Sequence, residues 1–329
     1  LKDHSSSSLF VFVVCCLALS ISDCKKEIES GPVYIITVQG KSGFMNRQGD
    51  VVINPQYDLC HDFAEGLALV RSNGLYGFID KSGYFVVEAR YDYAEDFSCG
   101  LALVGTNGKG GYINTQGRMR IVPQFDYAGS FSQRRARIRR NDLYGFIDTT
   151  GTIVIPPQFD FADDFSDGYA RIRRNGAWSY ITPGGSLAFS TTYSEVGNFS
   201  EWKALVRSGG KAGFVDTLGS LTIGLQFDDV LPFSSGLAAA RVGNRWGFIG
   251  PDAGFRIAPG FNTALSFSGT SAPVQIGQSW GLVGKSGEML VDPAFDKIWP
   301  FVDGLARVYA DGKWGYIDST GAFVWRLSN

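Results

Sequence analysis

The feature that most restricts what this chain can fold into is a unit of 34 residues written nine times without an insertion or deletion. Aligned on a short tetrad, the copies read Ser42-Gly43-Phe44-Met45, Tyr76-Gly77-Phe78-Ile79, Gly110-Gly111-Tyr112-Ile113, Tyr144-Gly145-Phe146-Ile147, Trp178-Ser179-Tyr180-Ile181, Ala212-Gly213-Phe214-Val215, Trp246-Gly247-Phe248-Ile249, Trp280-Gly281-Leu282-Val283 and Trp314-Gly315-Tyr316-Ile317. Two further columns are unbroken: Phe at 63, 97, 131, 165, 199, 233, 267 and 301, and Ala at 68, 102, 136, 170, 204, 238, 272 and 306. A sequence with such a period must stack like units that present the same side chains to the same neighbours. One unit is smaller than the roughly 40 residues at which isolated domains begin to need staples, so adjacent copies must complete each other's cores.

Turn residues divide each unit into three short strand-like runs, as in Leu67–Arg71, Asn73-Gly74, Tyr76–Asp80, Ser82-Gly83 and Tyr84–Val87, which predicts an antiparallel three-stranded meander. In Ala136-Arg137-Ile138-Arg139 the alternation sets Ala136 and Ile138 on one face and both arginines on the other. A linker of about a dozen residues such as Pro156–Ser166 follows, and its aromatics are expected to fold back over the meander. An Ala column is then needed where the Phe column packs, and the tetrad Gly where an aromatic ring lies flat on backbone. The fold class is all-β, a tandem array of 34-residue repeats. The expected shape is an open, curved, solenoid-like array with polar caps at Glu27–Pro32 and Arg326–Asn329. Nine copies exceed the roughly four to eight blades usual in propellers, and no unit is split between the termini; a β-propeller-like ring is the alternative.

Composition narrows the function classes. The 30 Lys+Arg against 32 Asp+Glu give a net charge of −2, which speaks against nucleic-acid binding. Histidine occurs only at His4 and His61, too few for a multi-His metal site or a His-based mechanism, so no catalytic residue, metal or cofactor is assigned. His61 stands alone and reads as a surface or satisfied polar residue. Cys60 and Cys99, the two cysteines of the body, are either one disulfide or two free thiols. The run Leu9–Leu19 is apolar but shorter than the ~20 residues that span a bilayer, and reads as an export signal. Its continuation to Cys24-Lys25-Lys26 resembles the signal and lipidation site of bacterial lipoproteins, which implies Cys24 as the acylated residue. The organisation is thus an export signal over 1–24, a short tether over 25–33 and a repeat domain over 34–329. The expected address is the bacterial cell envelope, on the membrane through the lipid anchor only, or secretion as the alternative.

Candidate binding residues lie on the outward faces. Arg71, Arg139, Arg173, Arg207 and Arg241 share one column, with Arg137 and Arg171 beside it; stacked in register they would form a basic stripe for carboxylate, phosphate or an anionic glycan. The plainer reading is a solvated face that protects a strand edge. Trp202 and Trp299 interrupt columns otherwise held by unlike residues and are candidates for stacking on sugar rings. The recurring Asp58, Asp92, Asp126, Asp160, Asp228 and Asp296, and the turn residues Asp80, Asp148, Asp216 and Asp318, are expected to cap backbone N–H groups. Asp163, Asp164 and Asp167 form the one acidic cluster that a hydrolase reading can use.

The tetrad, the following Asp-x-x-Gly, the Pro-x-aromatic-Asp and the Phe-Ser-x-Gly-Leu-Ala resemble the bacterial WG-repeat (KWG) family; Lys313-Trp314-Gly315-Tyr316-Ile317-Asp318 matches it closely. The resemblance covers residues 34 to 329 and implies a β-repeat module, often exported, with no catalytic residue to carry over. The function expected is a non-enzymatic, exported, membrane-tethered scaffold that binds protein partners. Binding of envelope or host glycan through a basic and aromatic repeat face is the alternative.

Overall fold

The computed structural model describes residues 31–326, in which all regular structure is β and each sheet is antiparallel. There are nine sheets, or blades: 1 (Tyr34–Tyr57), 2 (Leu59–Tyr91), 3 (Tyr93–Phe125), 4 (Tyr127–Phe159), 5 (Phe161–Ser190), 6 (Glu195–Phe227), 7 (Asp229–Phe261), 8 (Thr263–Phe295) and 9 (Lys297–Arg326). Blades 2 to 9 have four strands rather than the expected three, because the linker supplies a short first strand. The chain leaves the fourth strand of blade 2 at the buried Tyr91, and the very next N–H, of Asp92, already donates to the Gly105 carbonyl of blade 3 at 3.0 Å. Tyr93 and Ala94 then pair with Gly105 and Val104 before the strand bulges and delivers Phe97 inward.

The hairpins follow from their residues. Between second and third strands, Asn107 (φ 53°) and Gly108 (φ 73°) both take the left-handed conformation that a two-residue turn matched to strand twist requires. Between first and second strands, Cys99 (φ 56°) and Gly100 (φ 79°) do the same, closed by the Ser98–Leu101 bridge.

Blades pack through the repeated columns. Seven of the eight Phe residues of the column sit on the tetrad aromatic of the preceding blade, with ring centroids 4.7 Å apart for Phe78–Phe97, 4.8 Å for Tyr112–Phe131 and 4.9 Å for Phe146–Phe165; the eighth, Phe301, packs on the cluster of Leu282. All eight alanines of the Ala column are fully buried in these interfaces. The tetrad glycine answers a different neighbour from the one expected. A Cβ on Gly145 would lie 2.5 Å from the Ile155 carbonyl oxygen, so the glycine admits the backbone of the fourth strand where it bulges, not an aromatic ring.

The array is not open. Blade 1 packs on blade 9: Tyr34 and Tyr316 meet edge to face at 5.6 Å, and Ile36, Met45 and Leu305 complete a shared buried core. The Tyr34 hydroxyl donates to the Asp303 carbonyl and the Tyr316 hydroxyl to the Ile35 carbonyl, each at 2.9 Å. The inter-blade contact made by Gly83 on Ile53 and Gly117 on Val87 recurs across the closure as Gly49 on Val324. The nine blades therefore form a closed β-propeller ring, and the solenoid-like expectation is corrected. Closure needs no split blade because side chains join the ends. Of the proposed caps, Arg326 ends a strand of blade 9 and Pro32 lies at the seam just before blade 1, where the ring closes and leaves no end to cap, while Glu27–Ser30 and 327–329 lie outside the described residues. Cys60 is a buried free thiol and Cys99 an exposed one.

Candidate functional site

The arginines are drawn into pairs rather than presented as one stripe. Arg137 donates from Nε to Asp164 at 2.7 Å and from Nη1 to the Ala162 carbonyl at 2.9 Å. Arg171 pairs with Asp163, which also faces Arg137 at 3.6 Å, so blades 4 and 5 are stitched by a two-Arg, two-Asp network. Arg207 pairs with Asp229 at 2.6 Å and Glu195 at 3.3 Å, and Arg241 lies 3.8 Å from Asp229. Arg71 and Arg173 are exposed and lie over the rings of Tyr76 and Trp178. Arg139, half-buried, completes the column opposite Tyr127 and Tyr144.

The carboxylates of the acidic cluster have separate engagements: Asp163 and Asp164 take the two arginines, and Asp167 accepts the backbone N–H of Trp202 at 2.8 Å. The capping aspartates behave as their positions demand. Asp92 accepts the Asn107 N–H at 2.9 Å and Asp148 those of Thr150 and Thr152 at 2.9 and 3.0 Å; the Thr150 hydroxyl and these N–H groups hold the Asp148 carboxyl below its usual range. Among the described residues no three His, Cys, Asp or Glu side chains gather closely enough to hold a metal ion.

Two places on the ring depart from repeat logic. The first is the row of turns between first and second strands. Its tips are linked from blade to blade: Glu65 accepts the Gly100 N–H at 2.9 Å, Gln133 that of Gly168 at 2.9 Å, and Glu201 that of Gly236 at 3.0 Å. At the second turn position Gly66, Gly100, Gly168, Gly236 and Gly304 take φ between 79° and 90°, a conformation only glycine enters freely. Arg134 (φ 64°) and Trp202 (φ 63°) stand there instead, on either side of the Gly168 turn, and Trp202 is 65% exposed. A bulky residue held left-handed is an outlier whose strain points to use. Arg134 opens the arginine-rich stretch 134–140, but its special position shows only in its backbone.

The second place is the seam. Among the described residues blade 1 has three strands, Tyr34–Val38, Lys41–Met45 and Val51–Tyr57, against four in each of the others. Where blades 9, 1 and 2 meet there is a cavity of about 500 Å³, lined by Trp299 and Val302 of blade 9, Asp62 and Phe63 of blade 2, and Tyr34 and Ile35 of blade 1. Trp299 leans on Trp314 at 5.2 Å and leaves 39% of its surface free; Val302 leaves 59%. Trp202 and Trp299 thus occupy two different sites, and the seam residues Tyr34 and Val302 escaped sequence reasoning although each breaks a column.

Two solved structures share the architecture. A eukaryotic initiation factor aligns with a TM-score of 0.66 over 90% of this chain and 96% of that one, at 11% identity. Dihydro-heme d1 dehydrogenase NirN in complex with DHE aligns with a TM-score of 0.50 over 91% and 75%, at 14% identity. At such identities the likeness is one of fold. No curated protein sequence matches this one. The model of the WG containing repeat matches residues 43–76, 76–109, 111–144, 144–178, 213–246 and 280–314, more than half of the chain. With the tetrad, its bulge glycine and the interlocked Phe and Ala columns each given a structural role, the chain belongs to the WG-repeat family.

Proposed function

We propose that this protein is a non-enzymatic scaffold, exported and tethered to the membrane through Cys24, whose propeller ring binds protein partners. Cys24 lies outside the described residues; the tether rests on the apolar run before it, and acyl-chain labelling lost in Cys24→Ala is its test. The observation that carries the binding reading is Trp202, an exposed indole in a backbone conformation that disfavours it, with Arg134 in the same position two blades away. Trp and Arg are the side chains that dominate protein interfaces, because each offers a large contact area with a polar handle.

The strain makes the test clean. Trp202→Gly relieves the left-handed backbone and is expected to stabilise the ring by about 1 kcal/mol. The same change removes the indole, so proteins captured from envelope extract by the wild type should be lost or retained at least tenfold less. A more stable variant that captures the same proteins equally well would overturn the reading. Anionic glycan is a second reading, supported by Arg71 and Arg173: each guanidinium lies over an aromatic ring, and although Arg71 Nε donates to the Gly74 carbonyl at 3.3 Å, its two Nη groups are left to fork onto a carboxylate or sulfate.

A further inference from the structure

We infer that the arginine-bearing ends of blades 4 and 5 form a binding site for a linear acidic glycan, a sugar chain that carries sulfate or carboxylate groups. Arg139, Arg140, Arg173 and Arg174 take its anionic groups, and Ser190 and Thr192 its hydroxyls. The inference rests on the anionic-glycan reading above and gives it one address. It is independent of Trp202 and of the protein partners assigned to that indole.

The second strands of these two blades end in arginine pairs, Arg139-Arg140 and Arg173-Arg174. The second member of each pair falls in a column that holds Ser72, Thr106, Ser208, Val242, Ile276 and Ala310 in other blades. Stacking brings the pairs side by side. Arg139 lies opposite Tyr144 in its sheet and Arg173 opposite Phe161, and those two rings meet across the blade boundary with centroids 6.3 Å apart.

The protein itself leaves these four charges unpaired. Arg137, Arg171, Arg207 and Arg241 each form an ion pair, whereas Arg139, Arg140, Arg173 and Arg174 form none among the described residues. The carboxylates beside them are engaged elsewhere: Asp126 is bound by Lys109, which holds its carboxyl below the usual range, and Asp160 accepts the Asn175 N–H at 2.7 Å. Asp142, on the exposed turn of blade 4, is a single charge against four. Two of the arginines are also held in place. Arg173 lies over the Trp178 ring at 5.4 Å, and Arg174 Nη1 reaches the Gln158 side-chain oxygen at 3.4 Å. A guanidinium already laid on a ring loses little further freedom when its edge forks onto an oxyanion.

The strand beside Trp178 marks a sugar rather than a bare polyanion. The fourth strand of blade 5 stops at Ser190, and Ser190-Thr191-Thr192-Tyr193-Ser194 stands where blade 4 has Pro156-Pro157-Gln158-Phe159-Asp160. The Thr191 N–H donates to the Trp178 carbonyl at 3.1 Å, which fastens this run next to the indole. Thr191 and Ser194 use their hydroxyls locally, on the Tyr193 N–H and the Arg207 carbonyl. Ser190 accepts the Ser179 hydroxyl at 3.1 Å and keeps its own proton to donate, and the exposed Thr192 hydroxyl has no partner among the described residues. The same run removes the carboxylate that the Asp column would place at Ser194. Exposed hydroxyls beside fixed cations suit a ligand that alternates hydroxyl and anionic groups, as an acidic glycan does and an acidic peptide does not.

The test uses the full chain and three fluorescein-labelled probes: a heparin octasaccharide, a galacturonate octamer and a glutamate octamer. The first carries sulfates and the second only carboxylates, in the same number as the third. In fluorescence polarisation at least one saccharide should bind at least tenfold more tightly than the glutamate octamer. The double variant Arg139→Ala/Arg173→Ala loses no ion pair, should melt with the wild type, and should weaken that saccharide at least tenfold. Arg173→Lys, which keeps the charge without the fork, should weaken it at least threefold. Thr192→Val should do the same and leave the glutamate octamer unchanged, a split that a merely electrostatic patch would not give. Arg256→Ala, on a turn of blade 7, should leave saccharide binding as it is. Binding that ignores Arg139 and Arg173 but is lost in Arg71→Ala overturns this address and leaves the anionic-glycan reading standing, whereas wild type that binds neither saccharide overturns both. Equal affinity for the glutamate octamer assigns the site to an acidic protein segment and overturns the proposal.

Discussion

Phe165 shows what a column residue does. It is 1% exposed, its ring lies 4.9 Å from that of Phe146 in the preceding blade, and its carbonyl accepts the Ser132 hydroxyl. Phe165→Ala should cost about 3–5 kcal/mol, because both blades lose contacts that neither refills. Arg139→Ala, on the outward face of the same architecture, should stay within about 0.5 kcal/mol. Urea denaturation midpoints in the opposite order would reverse the assignment of inside and outside. His61 is instructive in another way. Its Nδ1 lies 3.0 Å from Asp96, and that hydrogen bond holds the imidazole pKa above its usual value although burial pulls the other way. A group whose folded pKa exceeds its unfolded one lends stability that is complete below the unfolded value, near 6.5, and is lost as pH rises through the folded value. Asp96→Asn should bring the His61 titration followed by NMR down toward 6.5 and remove that loss; an unshifted titration would dissociate the two residues. The Phe column was legible because identity at a fixed spacing is a one-dimensional signal. The partner of His61 was not, because Asp96 lies 35 residues on, one off the period, and the pair meets only when two first strands lie side by side.

At the scale of a strand, seven tetrad glycines lie opposite a bulged, seven-residue strand, whereas Gly315 pairs directly with Arg326. Opposite Gly145 the strand Ile153–Phe159 bulges and continues for seven residues. Opposite Ser179 the strand is cut to Leu187–Ser190, pairs Ser179 with Ser190 directly, and the two hydroxyls bond at 3.1 Å. Gly145→Ala forces a methyl group against the Ile155 carbonyl and should cost about 3 kcal/mol, the upper range for overpacking, since backbone cannot move aside as a side chain can. Ser179→Ala removes one hydrogen bond and should cost about 1 kcal/mol. Equal melting shifts for the two would mean that the bulge does not depend on glycine. The turns were readable in advance because Asn-Gly and Asp-x-x-Gly carry their own conformational and capping chemistry. The short first strand was not, since in six of the eight blades that have it only two residues such as Tyr127 and Ala128 pair, too few for an alternation to register. The arginine pairs were hidden for a related reason: Arg137 meets Asp164 across a blade boundary, where neither period nor hydropathy marks a partner.

At the scale of the whole molecule, a perfect period states that every step is alike but leaves the angle of the step open, so an arc and a ring have the same sequence signature. The trace of closure lies in the exceptions. Tyr34 replaces a methyl group with a ring that reaches blade 9, Tyr316 spends its hydroxyl on the Ile35 carbonyl, and burial pushes that phenol up to about 12, beyond any working pH. A closed ring makes as many interfaces as blades and has no free end from which unfolding can start, whereas an open array frays from both. The two differ in one measurable geometry. Sheets stacked about 10 Å apart would hold the ends of an open nine-unit array about 80 Å from each other. In the ring, blades 1 and 9 touch. A chain permuted to open at the exposed Asn107-Gly108 turn, with Arg326 joined to Gly31 by a flexible linker of about ten residues, spans only about 16–19 Å at the join. It should retain the β signature in circular dichroism and melt in one cooperative transition near the parent temperature. Loss of blades 1 and 9 to proteolysis in that permuted chain would show that the ends do not meet in solution, and with them would go both the seam and the cleft it forms.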